Sequence, residues 1–259
     1  MKLGVNIDHI AVLREARKIN DPDPLDALGI LKRAGADQVT IHLREDRRHI
    51  NDNDAKLIIE ISQLPVNLEC SINEEIVDIV CKLSPHRATL VPEKREEVTT
   101  EGGLDIFKYK DAIAKAVEKL KSNHIEVSLF IDPDLESVSE AKRLEVDWVE
   151  LHTGNFANIY AMLYLGLKNS HNFIEELNLS RAILKDKLKK SLMALKNSSD
   201  LASSIGLKVA AGHGLNYQNV KEILKIDTIE ELNIGQSIIA RSIFTGLERA
   251  IQDMRAITN

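Results

Sequence analysis

Cysteine is scarce in this chain: residues 70 and 81 are the two in 259, and they stand in no metal-binding spacing. A disulfide framework is therefore not available, and Cys70 and Cys81 read as free thiols of a reducing compartment. Long apolar runs are missing too, and none reaches the ~18 uncharged residues that a membrane span needs. The opening segment MKLGVNIDHIAVLREARK does not have a signal-peptide pattern, because Asp8 and His9 break its apolar run and no small-residue cleavage site follows. These absences predict a cytoplasmic protein with no membrane contact. There is no surplus of positive charge: 34 Lys and Arg face 40 Asp and Glu, a net charge of −6, which speaks against a nucleic-acid partner. No HxH, HExxH or cysteine cluster signals a transition metal, and no GxGxxG follows a strand. Neither a metal nor a tightly held cofactor is expected.

What is present is a soluble balance of 44% hydrophobic and 29% charged residues, arranged with a rhythm. Short aliphatic runs at 3–9, 38–44, 65–71, 87–92, 126–132, 147–152, 207–212 and 231–235 read as buried parallel strands. Helical patterns fall between most of them, at 25–34, 53–63, 73–83, 105–122, 134–145, 216–225 and 237–256. Gly35 closes the first of these as a C-cap, and Asn73 opens the third as an N-cap. Eight βα units in this length predict a single α/β domain over 1–259, a (β/α)8 TIM barrel with extra helices; a doubly wound open sheet is the structural alternative. The rhythm fails once, at a helical insertion of about 155–205. Within it, residues 174–206 read as a long amphipathic helix or a helix pair, with KDKLKK as a solvated face.

Active sites of such barrels lie at the C-terminal ends of the strands, and the polar residues of this chain gather there. Strand one runs into Asn6, Asp8 and His9, and strand two into His42 and Arg44, with His49 just beyond. Glu69 interrupts the apolar run PVNLECS. Strand four runs into Glu93, strand five into Asp132, and strand six carries Glu150 and His152. Strands seven and eight end in Gly212–His213–Gly214 and Gly235–Gln236. Five of the chain's eight histidines fall at such ends, whereas strand starts have no such cluster. Histidine titrates near neutrality and suits proton transfer. A carboxylate inside an apolar strand is costly unless paired or used, which singles out Glu69 and Glu150. Each site has a plainer reading: a satisfied core histidine for His9 or His152, a turn cap for Asp132, an exposed ion-pair cluster for HLREDRRHI. VTTEGGLD (98–105) suits a water-excluding lid, or an ordinary turn. The glycines before helix starts at 212–214 and 233–237 suit phosphate cradles. No lysine lies in the C-terminal half of a strand, so a Schiff-base aldolase is disfavoured.

The segments GVNIDHIAVLREAR, TIHLREDRRHI, NLE, LVPEKREEVTTEGGLD, SLFID, ELHTG, GLKVAAGHGLNYQNV and ELNIGQSIIARSIFTGL resemble the pyridoxine 5′-phosphate synthase family over nearly the whole chain except about 155–200. The resemblance implies a transferase-type enzyme that condenses 1-deoxy-D-xylulose 5-phosphate with 3-amino-2-oxopropyl phosphate and closes the pyridine ring, releasing phosphate and water, and that assembles as a homo-octamer. It implies His42 and Glu69 as general bases, His213 as general acid and Glu150 as a stabiliser of charged intermediates. Substrate contacts are implied at Asn6, Asp8, His9, Arg17, Arg44, His49, Thr99, Gly214, Gly235 and Gln236; it gives His152 and Asp132 no role. Two departures are visible. Many relatives have histidine where this chain has Gln236, and the insertion is long, which predicts extra helices on the outer surface or at a subunit contact. Another phosphosugar-acting barrel isomerase or lyase is the competing enzyme reading. A non-catalytic phosphate sensor would be expected to lack Glu69, His42 or His213, and all are present.

Overall fold

The computed structural model describes residues 1–93 and 102–259. Its elements run in the order β1 (Lys2–Asn6), α1 (Asp8–Arg17), α2 (Ala27–Ala34), β2 (Gln38–Leu43), α3 (Asp52–Ile61), β3 (Val66–Cys70), α4 (Glu74–Leu83), β4 (Arg87–Leu90), α5 (Lys110–Ser122), β5 (Glu126–Ile131), α6 (Leu135–Arg143), β6 (Trp148–His152), α7 (Gly154–Tyr164), α8 (Arg181–Ser204), β7 (Lys208–Gly212), α9 (Val220–Ile223), β8 (Glu231–Ile234), α10 (Gln236–Thr245) and α11 (Leu247–Thr258). Each strand pairs in parallel with the next, and β8 returns to β1, so the sheet closes as an eight-stranded barrel. The expected (β/α)8 architecture is present, and the open sheet is excluded.

Side chains alternate along each strand, which divides the barrel into two layers. Leu3, Val5, Val39, Ile41, Leu68, Leu90, Val127, Leu129, Val149, Leu151, Val209 and Leu232 face outward into one apolar cluster beneath the helices. The alternate residues face inward and are largely polar. Arg87 of β4 pairs with Glu231 of β8, and strands so far apart round the ring can touch only through its interior.

Several expected boundaries move, each for a local reason. Strand one stops at Asn6, not at residue 9: the Asn6 carboxamide accepts from Asp8 N and donates to Asp8 Oδ2, turning the chain into α1. Arg17 is the last residue of that helix. The helix expected over 237–256 is two, parted at Gly246, whose φ of 80° lies in the left-handed region. Of 216–225 only Val220–Ile223 is α-helical, and the helix expected from 105 begins at Lys110.

The 155–205 segment begins with α7, continues through two single 3₁₀ turns, and enters α8 behind a Ser180 cap. Leu184 of α8 meets Ile159, Met162 and Leu163 of α7 in a small separate apolar cluster. The second half of α8 packs on β6 and β7, with Leu195 and Ala202 buried. That half therefore serves as the barrel's own sixth-to-seventh helix. Lys185, Lys187, Lys189 and Lys190 are exposed, as expected of a solvated face.

Candidate active site

The C-terminal ends of the strands surround a cavity of about 390 Å³. His42, Glu69, Glu150, His213, Asn6, Asp8, His9, Arg44, His49, Gly214, Gly235 and Gln236 all line it, joined by His152, Val91, Phe130 and Asn233. Arg17 does not; it is exposed at the far end of α1. Thr99 and the first half of the segment expected as a lid (98–101) lie outside the described residues.

Register explains the first group. His42 sits directly beside Glu69 across β2 and β3, with His42 Nδ1 4.0 Å from Glu69 Oε2. On its other side His42 Nε2 lies 3.2 Å from Oε1 of Glu93. One imidazole between two carboxylates is placed to pass protons between them. Burial pushes the Glu93 carboxyl up, but hydrogen bonds from His42 and the Glu45 N–H hold it, on balance, below the ordinary glutamate value. Glu93 stood among the polar strand ends in the sequence, with nothing to single it out: the loop returns it to His42 across 51 positions. The His42 N–H donates to Asp8 Oδ1, so the start of α1 is tied to the base. Among the described residues, Asp8, His42 and Glu69 form one group that could hold a metal ion, with ligating atoms within 4.8 Å of one another. Both Asp8 oxygens already accept hydrogen bonds, from Asn6 and from His42 N.

HLREDRRHI divides its arginines. Arg48 pairs with Asp46 and Arg47 with Asp52, both on the surface, as the ion-pair reading expects. Arg44 is buried and turns to the cavity. The carbonyl of His49 accepts from Arg14, itself held bidentately by Asp54.

At the opposite wall, His213 adopts φ 80° and Gly214 φ 75°. A positive φ at a non-glycine residue is strained by about 1–3 kcal/mol and persists only where neighbours enforce it. Thr153 does so: its hydroxyl reaches the carbonyl oxygens of both Gly212 and His213. His152 stands between, its ring 5.1 Å from that of His213 and its Nδ1 3.2 Å from Asp132 Oδ1. Asp132 Oδ1 also accepts from Gly103 N. The helix cap at DPD is Asp134, not Asp132. The structure thus places His152 beside His213 and Asp132 behind His152, positions to which the resemblance gave no role. A neighbouring ring was not legible from spacing, because the contact is between β6 and the turn after β7.

Glu150 lies deeper, almost fully buried, with Oε2 accepting from the Asn233 amide at 2.7 Å. Burial, with Glu231 nearby, pushes its carboxyl up to about 7, against the opposing pull of Asn233 and Arg87. Gly212 is required beside it, since a β-carbon there would overlap Glu150 Oε1.

Helices α1 and α10 begin at this cavity. First-turn N–H groups have no acceptor within their helix and favour anions. Gln236 is the first residue of α10, where a backbone N–H can serve whichever side chain is present. The arrangement joins acid–base groups to anion-binding ends.

The family described as Pyridoxal phosphate biosynthesis protein PdxJ matches residues 3–259. Over 257 residues the chain is 69% identical to the pyridoxine 5′-phosphate synthase of Aliarcobacter butzleri, covering 99% of this chain and 98% of that protein. It is 65% identical to the pyridoxine 5′-phosphate synthase of Nitratiruptor sp., covering 99% and 97%. These alignments pass through 155–200, the region excepted from the resemblance. Among solved structures, a 3-hexulose-6-phosphate synthase superposes with a TM-score of 0.60 at 14% identity, over the full length of both chains; at that identity the likeness shows the fold alone. No helix among the described residues is long and apolar enough to cross a membrane.

Proposed function

The chain belongs to the PdxJ family of pyridoxal phosphate biosynthesis proteins, and from that premise we propose how its cavity makes pyridoxine 5′-phosphate. The substrates are 1-deoxy-D-xylulose 5-phosphate and 3-amino-2-oxopropyl phosphate. They are joined through the amine and closed into a ring, with loss of inorganic phosphate and water. Every stage moves protons, and two phosphates must be held while it does. One observation carries this reading: His42, Glu69, Glu150 and His213 face a single cavity onto which two helix N-termini open.

Glu69 and His42 take protons as general bases, side by side across the β2–β3 register. His213, on the far wall, returns a proton to the leaving oxygen as general acid. Glu150 stabilises positive charge as it develops on nitrogen. Positioned groups of this kind each contribute roughly 10²–10⁴-fold. Asp8, His9, Arg44, His49 and, outside the described residues, Thr99 hold the deoxyxylulose phosphate. Asn6, Gly214, Gly235 and Gln236 hold the amino ketone and the phosphate that stays in the product, the last two through the start of α10. Arg17 joins this set only where the α1 end meets substrate. The enzyme works in the cytoplasm as a homo-octamer.

Purified protein mixed with the two phosphates should give the fluorescent pyridinol product together with equimolar inorganic phosphate. Glu69→Gln and His213→Ala should each abolish both signals while melting like the parent. Folded protein that forms no ring product would overturn the reading.

A further inference from the structure

Below the cavity, the polar interior of the barrel carries a chain of hydrogen bonds with a fixed sense. Arg87 Nη1 donates to Glu231 Oε1 at 2.7 Å. Gln38 Nε2 donates to the same oxygen at 3.0 Å and lies 3.4 Å from Asn233 Oδ1. The Thr40 hydroxyl donates to that Oδ1 at 3.1 Å. Asn233 Nδ2 donates to Glu150 Oε2 at 2.7 Å.

The direction of each bond follows from chemistry and not from how an amide was drawn. A guanidinium can only donate, so the Glu231 carboxylate accepts. The Gln38 group that faces an accepting carboxylate must be its NH2. That NH2 also meets Asn233, which must therefore show it oxygen, leaving the Asn233 NH2 for Glu150. Glu150 Oε2 is then an acceptor in either protonation state. Any proton the carboxyl holds sits on Oε1, which lies over Gly212, one residue before His213.

We propose that Asn233 is a positioning residue for the reaction: its amide, oriented by Arg87 through Glu231 and Gln38, pins Glu150 Oε2 and reserves Oε1 for exchange with the reacting molecule. This rests on the use of Glu150 made above. Two glycines clear the space it requires. A β-carbon at Gly4, Asn233's register partner on β1, would overlap Asn233 Oδ1, and one at Gly212 would overlap Glu150 Oε1. The charged and titratable groups around Glu150 are Glu231 and Arg87 from below, and Glu69, His42 and His213 across the cavity. The position of Glu150 near neutrality fits a carboxyl balanced between burial and one strong donor.

The test reads Glu150 itself, in enzyme without substrate. Its protonated carboxyl stretch, identified by its loss in Glu150→Gln, is titrated by infrared difference spectroscopy. Replacing the donor by Asn233→Leu should raise the midpoint by about one pH unit, the size expected for a hydrogen bond to a charged group. In turnover, the acid limb of the kcat profile should move up equally, with kcat down about tenfold at neutral pH, recovery at higher pH and little change in KM. A side chain that only supports the fold would lower melting temperature and leave both midpoints in place. Should Asn233→Leu not fold, Gln38→Leu releases the same amide and should shift the titration in the same direction. An unmoved Glu150 midpoint in the folded variant overturns the proposal, as does a titration that moves while the kcat profile stays put. Absence of ring product from the parent enzyme would sink the synthase reading alone, because the spectroscopic titration needs no turnover.

Discussion

The floor and the mouth of this barrel are both rich in buried charge, and they treat it differently. At the floor buried Arg87 meets buried Glu231 at 2.7 Å and lies 3.8 Å over the Trp148 ring, while at the rim exposed Lys208 reaches half-buried Glu126. Each charge there has an opposite partner. At the mouth, Glu69 and Glu150 line a cavity with five histidines, one of which also meets Glu93, and among the described residues there the upward push on a carboxyl falls on Glu150. Pairing consumes the chemical capacity of a group; placing it against an open volume with partial compensation preserves it. The difference teaches which buried carboxylates to read as scaffold and which as chemistry, although ELNIG and NLECS present them alike in sequence.

The comparison can be broken in four places. Mouth variants Glu69→Gln and His213→Ala should lose roughly 10²–10⁴ in kcat with an unchanged melting curve; a large melting loss would make the mouth scaffold as well. The floor variant Arg87→Met should do the reverse. It strands Glu231 among buried groups, an effect of about 3–5 kcal/mol, visible as a lower urea midpoint, and the double change Arg87→Met, Glu231→Leu should recover much of it.

Third, Glu150 should leave a mark on stability against pH. Its carboxyl rises from an ordinary 4.5 to about 7 on folding. Near pH 4 it is protonated in both states and costs nothing. Between 4.5 and about 7 the unfolded chain releases its proton while the folded chain keeps it, so stability declines as pH rises, and the penalty is complete above that window. Glu150→Gln should therefore raise the melting temperature at pH 8, by an effect on the order of 2 kcal/mol, and leave it unchanged near pH 4. A gain of equal size at both pH values would contradict this. The smallest effect belongs to Arg48→Ala, which removes an exposed pair with Asp46: under about 1 kcal/mol and no change in turnover, whereas Arg44→Ala should raise KM.

Much of this was legible in the sequence because local rules carried it. Aliphatic runs gave the strands, Gly35 and Asn73 the helix limits, and polar residues at strand ends the cavity wall. What escaped was set by contacts between distant elements. Asp8 and His9 read as the end of a strand, because the Asn6–Asp8 hydrogen bonds that start α1 leave no periodic trace in so few residues. Asn233, inside ELNIG, looks like a weak strand residue until β6 brings Glu150 to it across 83 positions. Glu93 and the His152–Asp132 pair escaped likewise. Gly246 was hidden by apolar periodicity that runs through it, since both α10 and α11 bury a face on the same barrel.

The Arg87–Glu231 pair also dictates an order of events. The two residues stand 144 positions apart, so a growing chain completes seven strands before the partner of Arg87 exists. A barrel filled with aliphatic side chains can let its first half collapse early. Here Glu126 of β5 and the Trp148 ring of β6 can meet Arg87 earlier, but its buried carboxylate partner comes only with β8, and a buried guanidinium without such a partner is costly. Closure by the last strand is thus coupled to neutralisation of the interior. The same stroke brings Asn233 under Glu150, so the working site and the finished ring come into being together.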